Sequence, residues 1–434
     1  MKDTEQIRTL NLERVILVRV WVGAESADSS SMDEMIALVE AAGGEVAAET
    51  SQKKSRPDPS YFVGKGKAEE ITELAKSENV TTIVLDHNLT PGQVTRLERT
   101  TGCKVIDRTE LILAIFAGQA RSREAILQIE LAQLKYALPR LSGLWHHFSR
   151  LGAGIGTRGP GETQLEIDRR RARARISLLE SGIAEMETRW QVAASRRSEF
   201  FRVAIVGYTN AGKSTLLNAL CGASVYTADR PFATLDTTFR RVDLLDGSRI
   251  LLSDTVGFIE RLPETLVASF HTTLNSAREA DLLLVAVDRS NPFRERHLET
   301  VRSTLDRVGV DPSIPRLIVW TKCDAERGFG EPVSGVAVSA LEGSGLDRLV
   351  EAITRIRDDT LGWFRLELDR HDSSLINWMY GRCVIREISD RDDGTMTVVA
   401  GAPGGYPALA RKIAGFGTVR SATAIAGGAD ASGS

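Results

Sequence analysis

Gly207-Tyr208-Thr209-Asn210-Ala211-Gly212-Lys213-Ser214, followed by Thr215, decides how the rest of the chain is read. The stretch follows an apolar run at 203–206 and opens a helical pattern that takes in Leu216, Leu217 and Leu220. Strand, GxxxxGK[ST], helix is the setting of a phosphate-binding loop, whose glycines let successive backbone N–H groups turn inward onto the phosphates. Lys213 sets a point charge near the β- and γ-phosphates, and the Ser214 hydroxyl is placed to ligate Mg2+. Asn210 admits two readings. Asparagine tolerates positive φ in a tight loop, and its side chain is also a candidate ligand for a monovalent cation such as K+ bridging the phosphates.

Further along, Pro231-Phe232-Ala233-Thr234-Leu235-Asp236-Thr237-Thr238 is hydroxyl-rich, of the kind that orders with nucleotide state. One of its threonines should ligate Mg2+ and sense the γ-phosphate. A hairpin of strands at 240–245 and 249–252, turning at Asp246-Gly247, ends in Asp254-Thr255-Val256-Gly257. There Asp254 is placed to hold Mg2+ through water, and the Gly257 N–H to meet the γ-phosphate. Phe258 follows, where many GTPases carry a water-orienting glutamine, so slow intrinsic turnover is expected. Buried strands at 281–288 and 315–320 lead to Thr321-Lys322-Cys323-Asp324. Asp324 accepts from the guanine ring N–H and amino group, neither of which adenine offers. Lys322 lies along the base, and Ser339-Ala340-Leu341 aims a backbone N–H at the guanine oxygen. Five short motifs in this order predict GTP over ATP.

Towards the N-terminus the pattern changes. Leu127, Leu131, Leu134, Leu138 and Leu141 step at a 3.5-residue rhythm, which returns in Ala172, Ile176, Leu179, Ile183, Met186 and Trp190. Two such seams predict an antiparallel pair of long helices; thirty helical residues would reach about 45 Å. Their connection, 142–161, holds six glycines with Trp145, His146 and His147. Between Arg121 and Arg175 there are eleven Lys/Arg against five Asp/Glu, a surplus of six in a chain of net charge -3. A polyanion contact must therefore be local. Composition alone fits a flexible linker beside a solvated helix. The alternative is a tip that enters folded RNA, with Arg140, Arg150, Arg158, Arg169, Arg170, Arg171 and Arg173 on phosphates and Trp145, His146 or His147 stacking on bases.

The first 120 residues alternate strands (15–22, 45–50, 81–85, 104–106) with helices (32–42, 68–76 and one opening at Pro91), which predicts a small parallel α/β domain. The turn Gly64-Lys65-Gly66-Lys67 lacks the spacing of a nucleotide loop and faces either solvent or a polyanion. After 361 come strands (363–368, 383–388, 395–400) and helices (374–380, 406–413), enough for a small α+β domain. The expected fold class is thus multidomain α/β: an N-terminal domain over 1–120, a helical hairpin over 121–198, a P-loop GTPase domain with a mixed, mostly parallel sheet over 199–358, an α+β domain over 359–425 and a disordered tail over 426–434. Four scattered cysteines without a CxxC pair argue against zinc and for a reducing compartment. No apolar run reaches the ~20 residues of a membrane span, and the acidic start is unlike a signal peptide. A cytoplasmic protein, monomeric, is expected.

These residues resemble the HflX family of ribosome-binding GTPases. The resemblance runs from Tyr61-Phe62-Val63-Gly64-Lys65-Gly66-Lys67 to the C-terminal domain. It is most specific in Leu131-Ala132-Gln133-Leu134-Lys135-Tyr136, in Gly154-Ile155-Gly156-Thr157-Arg158-Gly159-Pro160-Gly161-Glu162, and in the nucleotide motifs. It implies docking of the N-terminal region on the large ribosomal subunit. The glycine-rich tip would reach toward the peptidyl-transferase centre, and the GTP form would split stalled ribosomes. It also selects Thr234 as the threonine on Mg2+ and sets Phe258 among GTPases with a hydrophobic residue for the glutamine. Members usually carry Asn where this chain has Thr321. That asparagine ties the guanine loop to the phosphate loop, so weaker affinity or selectivity is expected here. Two other functions fit the same residues: a nucleotide-gated RNA or subunit-assembly adaptor, and an ATP-dependent RNA remodeller.

Overall fold

In β1 (Arg14–Val22) seven successive residues are buried, which is the mark of a strand covered on both faces. The computed structural model describes residues 14–23, 31–140, 160–197, 200–222, 232, 238–244, 246–260, 271–325, 334–369, 372–380, 382–391 and 394–425. The chain divides into two compact units, Met1–Glu187 with Ala228–Asp236 and Arg261–His271, and Thr188–Thr227 with Thr237–Glu260 and Thr272–Ser434.

In the first unit, α1 (Ser31–Ala41), β2 (Glu45–Lys54), α2 (Lys65–Ser77), β3 (Thr82–Leu85), α3 (Pro91–Thr101) and β4 (Lys104–Asp107) follow β1. Their sheet is parallel throughout, in the order β2-β1-β3-β4. Thr90 and Gln93 cap α3 reciprocally, and Pro91 occupies its first turn, where a missing N–H costs nothing. Arg19, on the central strand, is 1% exposed and ion-paired to Asp86, which also holds Arg108. Arg108 reaches on to Glu34. Each buried charge thus has an opposite partner, without which burial would be strongly unfavourable.

Arg108 belongs to α4 (Arg108–Gln119), a helix absent from the sequence reading. Leu111 to Phe116 are buried without a break, so this apolar run shows no helical period to detect. The helical pair also differs from expectation. α5 (Arg123–Ala137) stops after 15 residues, passing into a 3-10 turn at Leu138–Arg140, because Pro139 cannot continue the helix. α6 (Pro160–Arg197) has 38 residues, about 57 Å. Two ion pairs, Glu130–Arg175 and Lys135–Glu180, join the two helices. The expected tip at 142–161 lies outside the described residues except for Pro160 and Gly161, as does the tail at 426–434.

The second unit contains two further sheets. β5 (Phe201–Gly207), α7 (Lys213–Cys221), β6 (Thr238–Asp243), β7 (Arg249–Asp254), α8 (His271–Arg278), β8 (Leu282–Asp288), α9 (Arg294–Arg307), β9 (Arg316–Thr321), β10 (Val336–Ala337) and α10 (Leu346–Thr360) come first. Five of the six strands in the order β10-β9-β8-β5-β7-β6 are parallel, and β6 is antiparallel. β11 (Gly362–Leu368), α11 (Ser373–Tyr380), β12 (Val384–Asp390), β13 (Met396–Ala402), α12 (Gly405–Ala414) and β14 (Val419–Ala424) build an antiparallel sheet in the order β12-β13-β11-β14. This is the split βαββαβ arrangement, and β14 is the strand the sequence reading left out. Arg357, 1% exposed on α10, joins the two parts. It hydrogen-bonds Ser248 and Asp246 in the β6–β7 turn, and Asp358, whose carbonyl accepts the Trp363 indole N–H at 3.0 Å.

Candidate functional site

β5 lies between β7 and β8, so the segments leaving the C-terminal ends of β5, β7, β8 and β9 converge at one edge of the sheet. Gly207 ends β5 for a packing reason. A Cβ there would stand 2.4 Å from the Ala286 carbonyl oxygen on β8. The loop then turns through Asn210 (φ 59) and Gly212 (φ 77), both left-handed. The loop-geometry reading of Asn210 therefore holds in full. Gly212 starts α7 without a side-chain cap, leaving the first-turn N–H groups for an anion. Lys213 is 7% exposed, and its Nζ donates to the Tyr208 carbonyl at 2.8 Å. Burial pushes its ammonium down to about 8, with Asp254 acting the other way and Lys322 adding to the fall.

Ser214 donates its hydroxyl to Asp254 at 2.6 Å. Asp254 ends β7 and is 1% exposed. Two hard oxygen donors side by side at the mouth of an anion-binding loop suit Mg2+, which would be shared with a bound phosphate. Thr255, also a candidate, turns inward, its hydroxyl donating to the Ile205 carbonyl at 2.8 Å, and Val256 is buried; only their backbone is available. Gly257 lies against the loop so closely that a Cβ would stand 2.9 Å from Thr209 Cα and 3.0 Å from Lys213 Nζ. The Phe258 N–H donates to the Gly207 carbonyl at 3.0 Å, and its carbonyl accepts the Thr209 N–H at 2.7 Å. Its side chain is 2% exposed and offers nothing with which to orient a water.

At the end expected to recognise the base, Ser339 is fully buried and donates its hydroxyl to the Asp324 carboxylate, fixing the acceptor expected to read guanine. Lys322 (φ 56) ion-pairs with Asp288, at the end of β8, at 3.0 Å. Cys323 hydrogen-bonds the Trp320 carbonyl at 3.3 Å, Ala340 is half-buried and Leu341 is 79% exposed. Thr321 bridges two neighbouring segments. Its hydroxyl lies 2.8 Å from the Ala211 carbonyl and 3.1 Å from that of Val287. The tie between guanine loop and phosphate loop is therefore present, made by one hydroxyl. The supporting roles of Asp288 and Ser339 were not read from sequence, because neither lies next to the group it holds.

Thr234, Ala233, Leu235 and Asp236 lie outside the described residues. Phe232, 2% exposed, belongs to the first unit and packs edge-on against Phe116, ring centroids 4.5 Å apart. Of the basic candidates, Trp145, His146, His147, Arg150 and Arg158 also lie outside the described residues. Arg140 is taken up by the fold: it donates to the Leu89 carbonyl at 2.7 Å and to Asp107 at 3.1 Å, and stacks 3.5 Å over the Tyr136 ring. Arg170, Arg171 and Arg173 on α6 are exposed, Arg169 half-buried, and none makes an ion pair among the described residues.

Four family models match in succession: a GTP-binding GTPase N-terminal domain at residues 29–117, a GTP-binding GTPase middle region at 119–197, a 50S ribosome-binding GTPase at 202–322 and an HflX C-terminal domain at 330–414. The GTPase HflX of Caldanaerobacter subterraneus subsp. tengcongensis is 45% identical over 79% of this chain and 80% of the relative. That of Escherichia coli K12 is 39% identical over 90% and 94%. A GTP-binding protein from Sulfolobus solfataricus, solved with GDP, is 25% identical, covering 80% of this chain and 98% of its own, with a TM-score of 0.43. Among the described residues no helix is long and apolar enough to cross a membrane. With the phosphate loop, the Ser214 and Asp254 oxygens and the Asp324 carboxylate at one sheet edge, and with relatives of this name aligned over most of its length, the chain belongs to the HflX family of GTPases.

Proposed function

We propose that this GTPase binds the large ribosomal subunit and uses GTP to split stalled or stressed ribosomes into subunits in the cytoplasm, acting as a monomer. The observation that carries the reading is the arginine face of α6, exposed at Arg170, Arg171 and Arg173, in a chain whose GTPase segment matches a 50S ribosome-binding model. Exposed guanidinium groups on a helix suit the phosphates of ribosomal RNA, and such binding weakens steeply with salt. The segment 142–161, with Trp145, His146, His147, Arg150 and Arg158, supplies the contact near the peptidyl-transferase centre. Ser214, Thr234 and Asp254 would hold Mg2+ with GTP, and Asn210 would ligate K+, each ion offsetting phosphate charge. The γ-phosphate orders the segment around Thr234 and that from Asp254 to Phe258; hydrolysis releases both, and with them the ribosome.

The test is sedimentation of stalled ribosomes with the protein and a non-hydrolysable GTP analogue. Conversion of monosomes to subunits is expected. Monosomes unchanged with the analogue while the protein co-sediments would refute splitting and leave an adaptor; equal binding with GDP, with GTP and without nucleotide would refute the gating.

A further inference from the structure

We infer that Tyr208, Glu260, Arg296 and His297 form a clamp that positions the Gly257–Phe258 peptide for GTP hydrolysis, with Tyr208 and Arg296 as positioning residues. Tyr208 is the residue after Gly207 in the phosphate loop, and its ring is buried. It lies flat on the His297 imidazole, centroids 3.8 Å apart and planes 4° from parallel. Its hydroxyl accepts the Glu260 N–H at 3.1 Å. The Glu260 carboxylate in turn bridges to Arg296, Nη2 to Oε2 2.8 Å, on the same helix as His297. Two consecutive residues of α9 therefore hold one segment each: His297 steadies the phosphate loop through Tyr208, and Arg296 holds the chain just past Phe258.

Between these holds lies the peptide that matters to the reaction. Gly207, Thr209 and Phe258 exchange backbone hydrogen bonds of 3.0 and 2.7 Å, and Gly257 sits against Lys213 Nζ, where the last phosphate of a bound nucleotide ends. Phe258 brings no polar group of its own. Whatever this segment contributes to the γ-phosphate must come from the placement of backbone N–H groups, and such donors act only when fixed in advance. Glu260 (11% exposed side chain) and Arg296 (41%) lie near solvent, where an amide would be satisfied by water. Here it is satisfied by the tyrosine hydroxyl instead, so a shift of residues 257–260 must break a bond to the phosphate loop.

The test is single-turnover GTP hydrolysis by the full chain alongside its affinity for a fluorescent GTP analogue. Tyr208→Phe keeps the ring and the stack and removes one hydroxyl; Arg296→Ala changes a half-exposed side chain and leaves the core alone. Each should slow hydrolysis about three- to tenfold, the range of one or two lost hydrogen bonds, with affinity unchanged within about twofold. Arg296→Lys should recover most of the rate, and the double variant should fall short of the product of the single effects, since both residues hold one segment. Unchanged or faster hydrolysis in both single variants overturns the inference. So does a loss of affinity in proportion to rate, or multiplicative effects in the double variant. The parent's own turnover, measured in parallel, separates failure of the clamp from failure of the GTPase reading.

Discussion

Replacing Thr321 by valine keeps the shape of the side chain and removes only its hydroxyl. That hydroxyl is 2% exposed with its residue and has a single proton to offer two carbonyls, Ala211 at 2.8 Å and Val287 at 3.1 Å. A net buried hydrogen bond contributes about 0.5–1.5 kcal/mol. The shorter contact is to the phosphate loop, so most of that loss should appear as looser coupling between the base and phosphate ends of the site. About 1 kcal/mol corresponds to roughly a fivefold rise in Kd for GDP. Thr321→Asn supplies two amide protons, one for each carbonyl, and should bind at least as tightly as the parent. Titration with a fluorescent GDP analogue reads both variants, and urea unfolding reports any general loss of stability. Equal Kd for Thr321→Val and the parent would refute the reasoning; so would a weaker Kd for Thr321→Asn in a protein of unchanged stability.

Three other substitutions test separate parts of the structure. Gly257→Ala places a methyl 2.9 Å from Thr209 Cα and 3.0 Å from Lys213 Nζ, so GTP turnover should fall at least about tenfold while GDP binding persists, read by turnover and titration on one sample. In Gly207→Ala the obstacle is the Ala286 carbonyl at 2.4 Å; the sheet must open, and the loss of about 3 kcal/mol or more should show in urea unfolding even without nucleotide. Burial works to raise the Asp246 carboxyl, but Arg357 and then Ser248 outweigh it and hold it below its usual 3.8. A lowered folded value means the contribution is full above the unfolded value and is lost as pH falls through the folded one. Asp246→Asn should therefore flatten the fall in stability below about pH 4, and identical acid unfolding curves would count against the pairing.

What the sequence disclosed and what it withheld separate along a physical line. The nucleotide motifs are local: each is a few residues whose backbone or side chains act together, and the strand before each supplies the direction. Where a helix or strand had a period or a stop signal it was readable, as in α3 with its cap and Pro91. α4 was not, because six consecutive buried apolar residues, Leu111 to Phe116, read as an unpatterned run. The leucine seam predicts α-helix at Leu138, where the structure has a 3-10 turn, because leucine spacing carries no signal of the Pro139 that follows. Arg140 is expected on RNA phosphates, but it is held within the fold by Leu89 and Asp107, which lie far off in sequence.

The same distance accounts for the supporting residues of the site. Asp288 holds Lys322, Ser339 holds Asp324, and Glu260 meets Tyr208 because β5 is flanked by β7 and β8 while β9 lies beyond β8. Strand order is a property of the whole sheet, and no window of sequence contains it. It also explains how Thr321 stands in for asparagine: at the end of β9 it reaches both the Val287 carbonyl on the neighbouring strand and the Ala211 carbonyl in the loop that follows β5. Any side chain with a donor of that length could make the contact. The identity of the residue sets how many carbonyls it satisfies at once, and so how firmly the two ends of the nucleotide site move together.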